Sequence, residues 1–170
     1  MMTMPGGSNR DAIAEKLNSV RLIIYDFDGV MTNNRVIVDE TGTESVIVNR
    51  SDGYAVRQIE KTKKQIILST ETNPVVVRRA EKLKIDVIHC VENKADTVTK
   101  YCSEHNISLC EIMFIGNDLN DCEAMKLSGL KGCPADAEPE IKELADWISE
   151  KNGGDGVVRD LLRWIQSANC

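Results

Sequence analysis

No apolar run in this 170-residue sequence approaches the roughly 20 residues needed to span a bilayer. The opening stretch, MMTMPGGSNRDAIAEKLNS, lacks the long apolar core of a secretory signal, so the chain is expected to stay where it is made. Positive charge is also short: 21 Lys and Arg stand against 27 Asp and Glu, a formal net charge of −6. Nucleic acids and acidic membranes both reward clustered cations, so neither is an expected partner. An anionic substrate would have to be drawn by a local site, through a metal ion or a few placed cations. The six cysteines (Cys90, Cys102, Cys110, Cys122, Cys133 and Cys170) include no C-x-x-C pair, and His89 and His105 complete no familiar zinc spacing. Four of them lie in or beside apolar runs, where Cys acts as a small hydrophobe; free thiols in a reducing cytosol are expected. No internal repeat or low-complexity linker divides the chain.

What is present is the composition of a folded domain, with 42% apolar and 28% charged residues. Residues 1–20 read as a loose tail plus a short helix over Arg10–Asn18, and 21–170 as a single domain. RLIIYD (Arg21–Asp26) is an apolar run that stops at a carboxylate. Val36–Val38 and Ser45–Val48, joined around Thr41-Gly42, predict a β-hairpin. A helix over Tyr54–Lys64 precedes a strand at Gln65–Ser69, and Pro74 opens a helix to about Leu83. The alternation runs on through a strand at Val87–Ile88, a helix over Ala95–His105 and a strand at Ile112–Ile115. Helices over Cys122–Ser128, Glu138–Ala145 and Val157–Gln166 are separated by short strands at Leu130–Cys133 and Trp147–Ile148. Strands apolar on both faces, alternating with helices, imply an α/β fold with a parallel sheet covered on both sides.

In such sheets ligands sit beyond the carboxyl ends of the strands. The residues ending the apolar runs are therefore the candidates: Asp26 and Asp28, Ser69, Lys94 at a loop–helix junction, then Asn117, Asp118 and Asp121. In Asp26-Phe27-Asp28-Gly29 two carboxylates stand at alternate positions past a buried strand. Their repulsion is relieved by a hard, oxygen-seeking cation such as Mg²⁺. Alone, the motif fits equally well a helix cap beside a solvated carboxylate. GNDLND (Gly116–Asp121) supplies further oxygen donors at another strand end, or else caps the following helix. Ser69 offers a hydroxyl to a phosphoryl oxygen, or is a turn serine. Lys94 opens a helix, where a cation opposes the dipole unless it faces an anion.

These four motifs, in order and spacing, resemble those of the haloacid dehalogenase-like phosphatase superfamily over residues 21 to 160. The resemblance implies a three-layer, Rossmann-like fold with a β-hairpin extension. It also implies a catalytic set of Asp26, Asp28, Ser69, Lys94 and Asp121. Asp26 would attack phosphorus and form an aspartyl-phosphate, while Asp28 would protonate the leaving oxygen and then activate water. Ser69 and Lys94 would hold the phosphoryl oxygens. Mg²⁺ would bind Asp26, the Asp28 carbonyl and the first polar residue of the fourth motif. That residue is Asn117 here, where relatives usually carry Asp, so Asp118 is the other candidate ligand. Thr70 likewise replaces a common Gly. These departures keep open a non-catalytic, oligomerising domain.

The intervals from Asp28 to Ser69 and from Ser69 to Lys94 leave no room for a cap domain, which counts against a mutase. The hairpin, NRSDGYAV, VVRRAEKLKID, GLKGCPADA and GGDGVVRDL resemble the capless phosphatases of 3-deoxy-2-keto sugar acids, the octulosonate 8-phosphate and nononate 9-phosphate hydrolases. GNDLND is also similar to the fourth motif in the C-terminal domain of sialic acid cytidylyltransferases. The resemblance implies a homotetramer built by the hairpins. It also implies a Gly-rich C-terminal segment (Gly153, Gly154, Gly156, with Arg159) reaching a neighbour's site as a lid; GGDG otherwise reads as a turn. Nononate-type relatives carry a Glu-Arg-Lys set matching Glu71, Arg79 and Lys82, expected to contact the sugar acid. Arg79 and Lys82 equally fit a solvated helix face.

Overall fold

The computed structural model describes residues 7–168, so the expected tail at 1–9 and Cys170 fall largely outside it. Its elements are α1 (Gly7–Ser19), β1 (Leu22–Tyr25), β2 (Thr32–Val38), β3 (Glu44–Val48), α2 (Arg50–Ile59), β4 (Lys64–Leu68), α3 (Val75–Leu83) and β5 (Asp86–Ile88). There follow α4 (Lys94–Glu104), β6 (Ile112–Ile115), α5 (Cys122–Leu127), β7 (Leu130–Cys133), α6 (Pro139–Leu144), β8 (Trp147–Ile148) and α7 (Val157–Ala168). Six strands form one parallel sheet in the order β5-β4-β1-β6-β7-β8, and β2 and β3 pair as a separate antiparallel hairpin. Among the described residues no cap domain is present.

The central strands are wholly apolar because both their faces are covered. Ile23 and Tyr25 of β1 point with Ile67, Met113 and Ile115 into a core shared with α1, α2, α3 and α7. Leu22 and Ile24 point with Ile66, Leu68, Ile112 and Phe114 into a second core under α4, α5 and α6. Alternation across a pleated strand divides the side chains this way. The chain leaves β1 on one side to make β4 and β5, then returns past β1 to make β6. The crevice beyond β1 is therefore the switch point, where ligands sit in this architecture. Tyr25 pairs in register with Ile67 and Ile115, which sets Asp26, Ser69 and the loop after Ile115 near one another at one edge.

Three boundaries differ from the sequence reading by four residues or more. Helix α2 begins at Arg50 and ends at Ile59, because Asn49 caps it by accepting from Ser51 N at 2.9 Å. Strand β2 begins at Thr32, four residues early, with an irregular register between Thr32 and Val36. Asn34 takes a left-handed φ of 60° inside that irregularity. Among described residues, no helix is long and apolar enough to cross a membrane.

One buried carboxylate escaped the sequence reading. Asp52 on α2 is 1% exposed, and its Oδ1 accepts from Arg159 N at 3.0 Å, tying the start of α7 to α2. Its Oδ2 has no hydrogen-bond partner. Burial pushes its carboxyl up to about 6, against the lowering effects of the Arg159 N–H and of Arg79. The native carboxyl thus holds its proton more tightly than the unfolded one, whose pKa is near 3.8. The stability this group contributes is present at acid pH and is lost as pH rises through that window. Between pH 4 and 7 the parent should therefore lose up to about 3 kcal/mol relative to Asp52→Asn. Urea unfolding of both proteins at several pH values checks this; a constant difference would refute the assignment.

Candidate active site

Asp26 directly follows β1, and its backbone N–H donates to the Ile115 carbonyl at 2.9 Å, extending the ladder by one residue. Its side chain is buried, with Oδ1 accepting from Phe27 N at 2.8 Å. Lys94, the first residue of α4, crosses beneath it. The Lys94 ammonium lies 2.8 Å from Asp26 Oδ1 and 2.6 Å from Asp121 Oδ1, with only 3% of the residue exposed. Burial pulls the Lys94 pKa down, but Asp26 and Asp121 more than offset this and hold it above its ordinary value. These two carboxylates also resolve the unfavourable place of a cation at a helix N-terminus. Asp121 in turn organises the fourth motif, its Oδ2 accepting from Asn117 N at 2.9 Å and Asp118 N at 3.3 Å.

One ammonium thus serves two buried carboxylates, with Asp28 close by. The excess negative charge shows in Asp26, whose carboxyl is raised to about 7 by burial and by Asp121 despite Lys94. Such a centre favours a further cation. One terminal atom of the Asn117 amide lies 2.8 Å from the Asp28 carbonyl oxygen and 3.1 Å from Asp26 Oδ2. Without metal, the amide nitrogen fits this position and donates to both oxygens. With the amide turned over, three oxygens converge there. Octahedral Mg²⁺ at 2.0–2.1 Å from its ligands needs adjacent oxygens roughly 3 Å apart, so the donor set fits. Gly29 is required for this approach: it holds φ +84°, and any Cβ there would overlap the Asn117 amide. Asp118 is exposed and its Oδ1 caps the next turn by accepting from Leu119 N at 2.6 Å, which leaves Asn117 the better-placed ligand. Among described residues no cluster of three His, Cys, Asp or Glu side chains could hold a metal, so the donors here are mixed oxygens.

Above this centre opens a cleft of about 320 Å³. Asp26, Asp28, Ser69, Glu71, Asn117 and Asp118 line it, as the strand-end argument requires. Its outer wall comes from Asn34, Val36, Glu44 and Val46 of the chain's own hairpin with Asn73 and Val75, residues the sequence reading did not single out. Asn73 Nδ2 donates to Glu44 Oε2 at 2.9 Å and ties the hairpin across the cleft. Asp28 is half-buried, and Thr32 Oγ1 donates to its Oδ1 at 3.0 Å. Burial raises the Asp28 carboxyl above its ordinary value, opposed by the Thr32 hydrogen bond and reinforced by Glu71.

Three expected contacts do not reach this cleft within one chain. Arg79 donates to the Asn49 carbonyl at 2.8 Å, Lys82 is exposed on α3, and the Arg159 guanidinium stacks 4.6 Å from the Tyr54 ring centre. Helical spacing placed Arg79 and Lys82 near one another, but the packing of α3 turns them away from the strand ends. The Gly-rich segment is also no free lid. Gly153 is buried and Gly154 N donates to the Val30 carbonyl at 3.1 Å, so both are packed on their own chain.

A parallel sheet with carboxylates, a buried ammonium and a hydroxyl at its three central strand ends defines an α/β enzyme with an acidic centre. The chain belongs to the haloacid dehalogenase-like hydrolase family, whose model matches residues 37–161. It is 27% identical over 169 residues to 3-deoxy-D-manno-octulosonate 8-phosphate phosphatase of Yersinia pestis, covering 94% of this chain and 86% of that one. It is 26% identical over 155 residues to N-acylneuraminate cytidylyltransferase A of Danio rerio. That match covers 89% of this chain but only 36% of the cytidylyltransferase. The structure of Moraxella catarrhalis 3-deoxy-D-manno-octulosonate 8-phosphate phosphatase, solved with magnesium, phosphate and KDO, superimposes with a TM-score of 0.88. Identity is 25%, over 93% of this chain and 92% of that one.

Proposed function

We propose that this chain is a Mg²⁺-dependent phosphatase of a phosphorylated 3-deoxy-2-keto sugar acid, acting through a phosphoryl group on Asp26. The observation that carries this reading is the centre itself, where Asp26 meets Lys94 on one side and the Asp28 carbonyl and Asn117 amide on the other. Mg²⁺ held by Asp26, the Asp28 carbonyl and Asn117 would neutralise charge on the phosphoryl oxygens. An Asp26 oxygen attacks phosphorus as the bond to the sugar oxygen breaks, and that oxygen takes a proton from Asp28. The raised pKa of Asp28 suits it to hold a proton for this step. Asp28, now ionised, then takes a proton from water attacking phosphorus, and the bond to Asp26 breaks to release phosphate. Two of the three Lys94 N–H donors are used by Asp26 and Asp121, so the ammonium acts from behind the cleft wall by offsetting the charge of those carboxylates. Ser69 Oγ accepts from Glu71 N at 3.1 Å, which leaves its hydroxyl hydrogen for another.

The sugar-acid part of the reading depends on a second copy. Among the described residues no Lys, Arg or His lines the cleft, while Glu44 and Glu71 do, so these residues of one chain offer no cation for a carboxylate. The hairpin leaves Val36, Ile37, Val38 and Ile47 between 52% and 61% exposed, an apolar surface suited to self-association. A homotetramer joined there, with a neighbour's basic side chain completing the cleft, accommodates both observations. Sedimentation velocity at assay concentration is expected to give a tetramer; a fully active monomer would end this part.

Release of phosphate from octulosonate 8-phosphate, nononate 9-phosphate and a panel of neutral sugar phosphates, with Mg²⁺ and with chelator, tests the function. Mg²⁺-dependent turnover favouring the sugar acids is expected. Preference for neutral esters would remove the substrate class, and no turnover at all would leave the non-catalytic reading. Asn117→Asp should tighten Mg²⁺ binding roughly tenfold by restoring a charged donor, as titration calorimetry would show. Unchanged affinity, with binding lost in Asp118→Ala, would transfer the ligand role to Asp118.

A further inference from the structure

The segment Asn152–Gly156 contributes no group to the chemistry above, yet it is packed on the loop that carries it. A Cβ at Gly153 would overlap the Gly29 carbonyl oxygen and lie 2.9 Å from the Thr32 carbonyl oxygen. Gly154 N donates to the Val30 carbonyl at 3.1 Å. The segment is pinned from outside as well: Gly153 N donates to Asp136 Oδ1 at 2.8 Å, and Asp52 holds Arg159 N at 3.0 Å where α7 begins. It therefore sits between anchored elements and the backbone of Gly29–Thr32.

That loop decides where the Asp28 carboxyl points. Thr32 Oγ1, fully buried, accepts from Gly29 N and from Asn34 N, each at 3.2 Å. Two backbone donors occupy its lone pairs, so its single proton is directed to Asp28 Oδ1 at 3.0 Å. Asp26 is held by different partners: Lys94, Phe27 N and the Ile115 carbonyl. The two carboxylates thus have separable supports.

We propose that the Gly153-Gly154 segment is a wedge that positions Asp28, acting through the Gly29–Thr32 backbone and the Thr32 hydroxyl. The inference rests on the reading above, in which Asp28 protonates the leaving oxygen. Gly153, Gly154 and Asp136 are then positioning residues. A side chain at 153 displaces Gly29 and Thr32 and loosens Asp28; because Gly29 also packs against the Asn117 amide, Mg²⁺ affinity falls with it, while the Asp26–Lys94 pair, built on other elements, stays in place.

The dependence on leaving group separates this role from general damage. In 4-nitrophenyl phosphate the departing phenolate needs little protonation, whereas the alkoxide of benzyl phosphate needs a proton. Gly153→Ala, assayed at saturating Mg²⁺, should lose about a hundredfold in kcat/KM on benzyl phosphate and no more than about fivefold in kcat/KM on the nitrophenyl ester, because kcat/KM reads the transfer to Asp26 and not the later attack of water, in which Asp28 serves both esters alike. Equal losses on the two esters would overturn the proposal. Should Gly153→Ala fail to fold, Asp136→Ala removes the same anchor from an exposed position and should show the same selective loss on a smaller scale. No selectivity there would also overturn it. If the parent hydrolyses neither ester, the phosphatase reading is judged by the sugar-phosphate panel above, and the wedge by a crystal structure of whichever variant folds. Loss of the Thr32–Asp28 hydrogen bond supports it, and an unchanged contact refutes it.

Discussion

Asp26→Asn should keep the fold and lose turnover by at least about ten-thousand-fold. An amide has no carboxylate oxygen to offer phosphorus, and no other buried carboxylate stands at the same place. Asp121, the nearest alternative, is fully buried and committed to Lys94 and to the Asn117 and Asp118 N–H groups. The fold should survive because Lys94 keeps Asp121, and the amide oxygen can still accept from Phe27 N. Circular dichroism and thermal melting establish the fold, and phosphate release the activity. Substantial Mg²⁺-dependent turnover in the folded variant would remove Asp26 from the covalent step.

Lys94→Met has the largest expected effect on stability. The side chain is of similar length, so little volume is lost, but Asp26 and Asp121 are left buried without their ammonium. Breaking a buried pair from one side costs about 3–5 kcal/mol. The sign of its pH dependence follows from the same charges. Without Lys94 the Asp26 carboxyl, already raised to about 7, binds its proton still more readily in the folded state, so the gap from the parent should narrow as pH falls from 8 toward 5. Urea unfolding across that range measures it. A variant as stable as the parent at pH 8 would mean that Lys94 does not neutralise this centre, and activity should vanish in either case.

The sheet and the convergence of polar residues at its central strand ends were legible because one physical cause writes both. LIIY, QIIL and IMFI are apolar throughout since helices cover both their faces, and each run must end where the chain meets solvent at the sheet edge. The polar residues at those ends, Asp26, Ser69 and Asn117, then converge because the three strands are adjacent and in register. The outer wall left no such mark. Glu44 and Asn73 meet only because the hairpin folds back across the cleft, which depends on packing distant in sequence. Arg79 and Lys82 failed to reach the cleft for the same reason: helical spacing relates them to each other, but not to the sheet. Asp52 was hidden because a buried carboxylate on an amphipathic helix reads as part of its polar face. GGDG read as a turn or a lid, since nothing local reveals that Gly153 lies against Gly29.

The central claim is that a phosphoryl group passes through Asp26, and trapping that species tests it most directly. The protein would be mixed with excess substrate and Mg²⁺, quenched in acid within the first turnover, digested with pepsin at low pH and weighed by mass spectrometry. The peptides that contain Asp26 are expected to be heavier by one phosphoryl group, with fragmentation locating it on Asp26, and no such species is expected in Asp26→Asn. Turnover without any modified peptide in a quench fast enough to catch the first cycle, or a phosphoryl group on another residue, would contradict it.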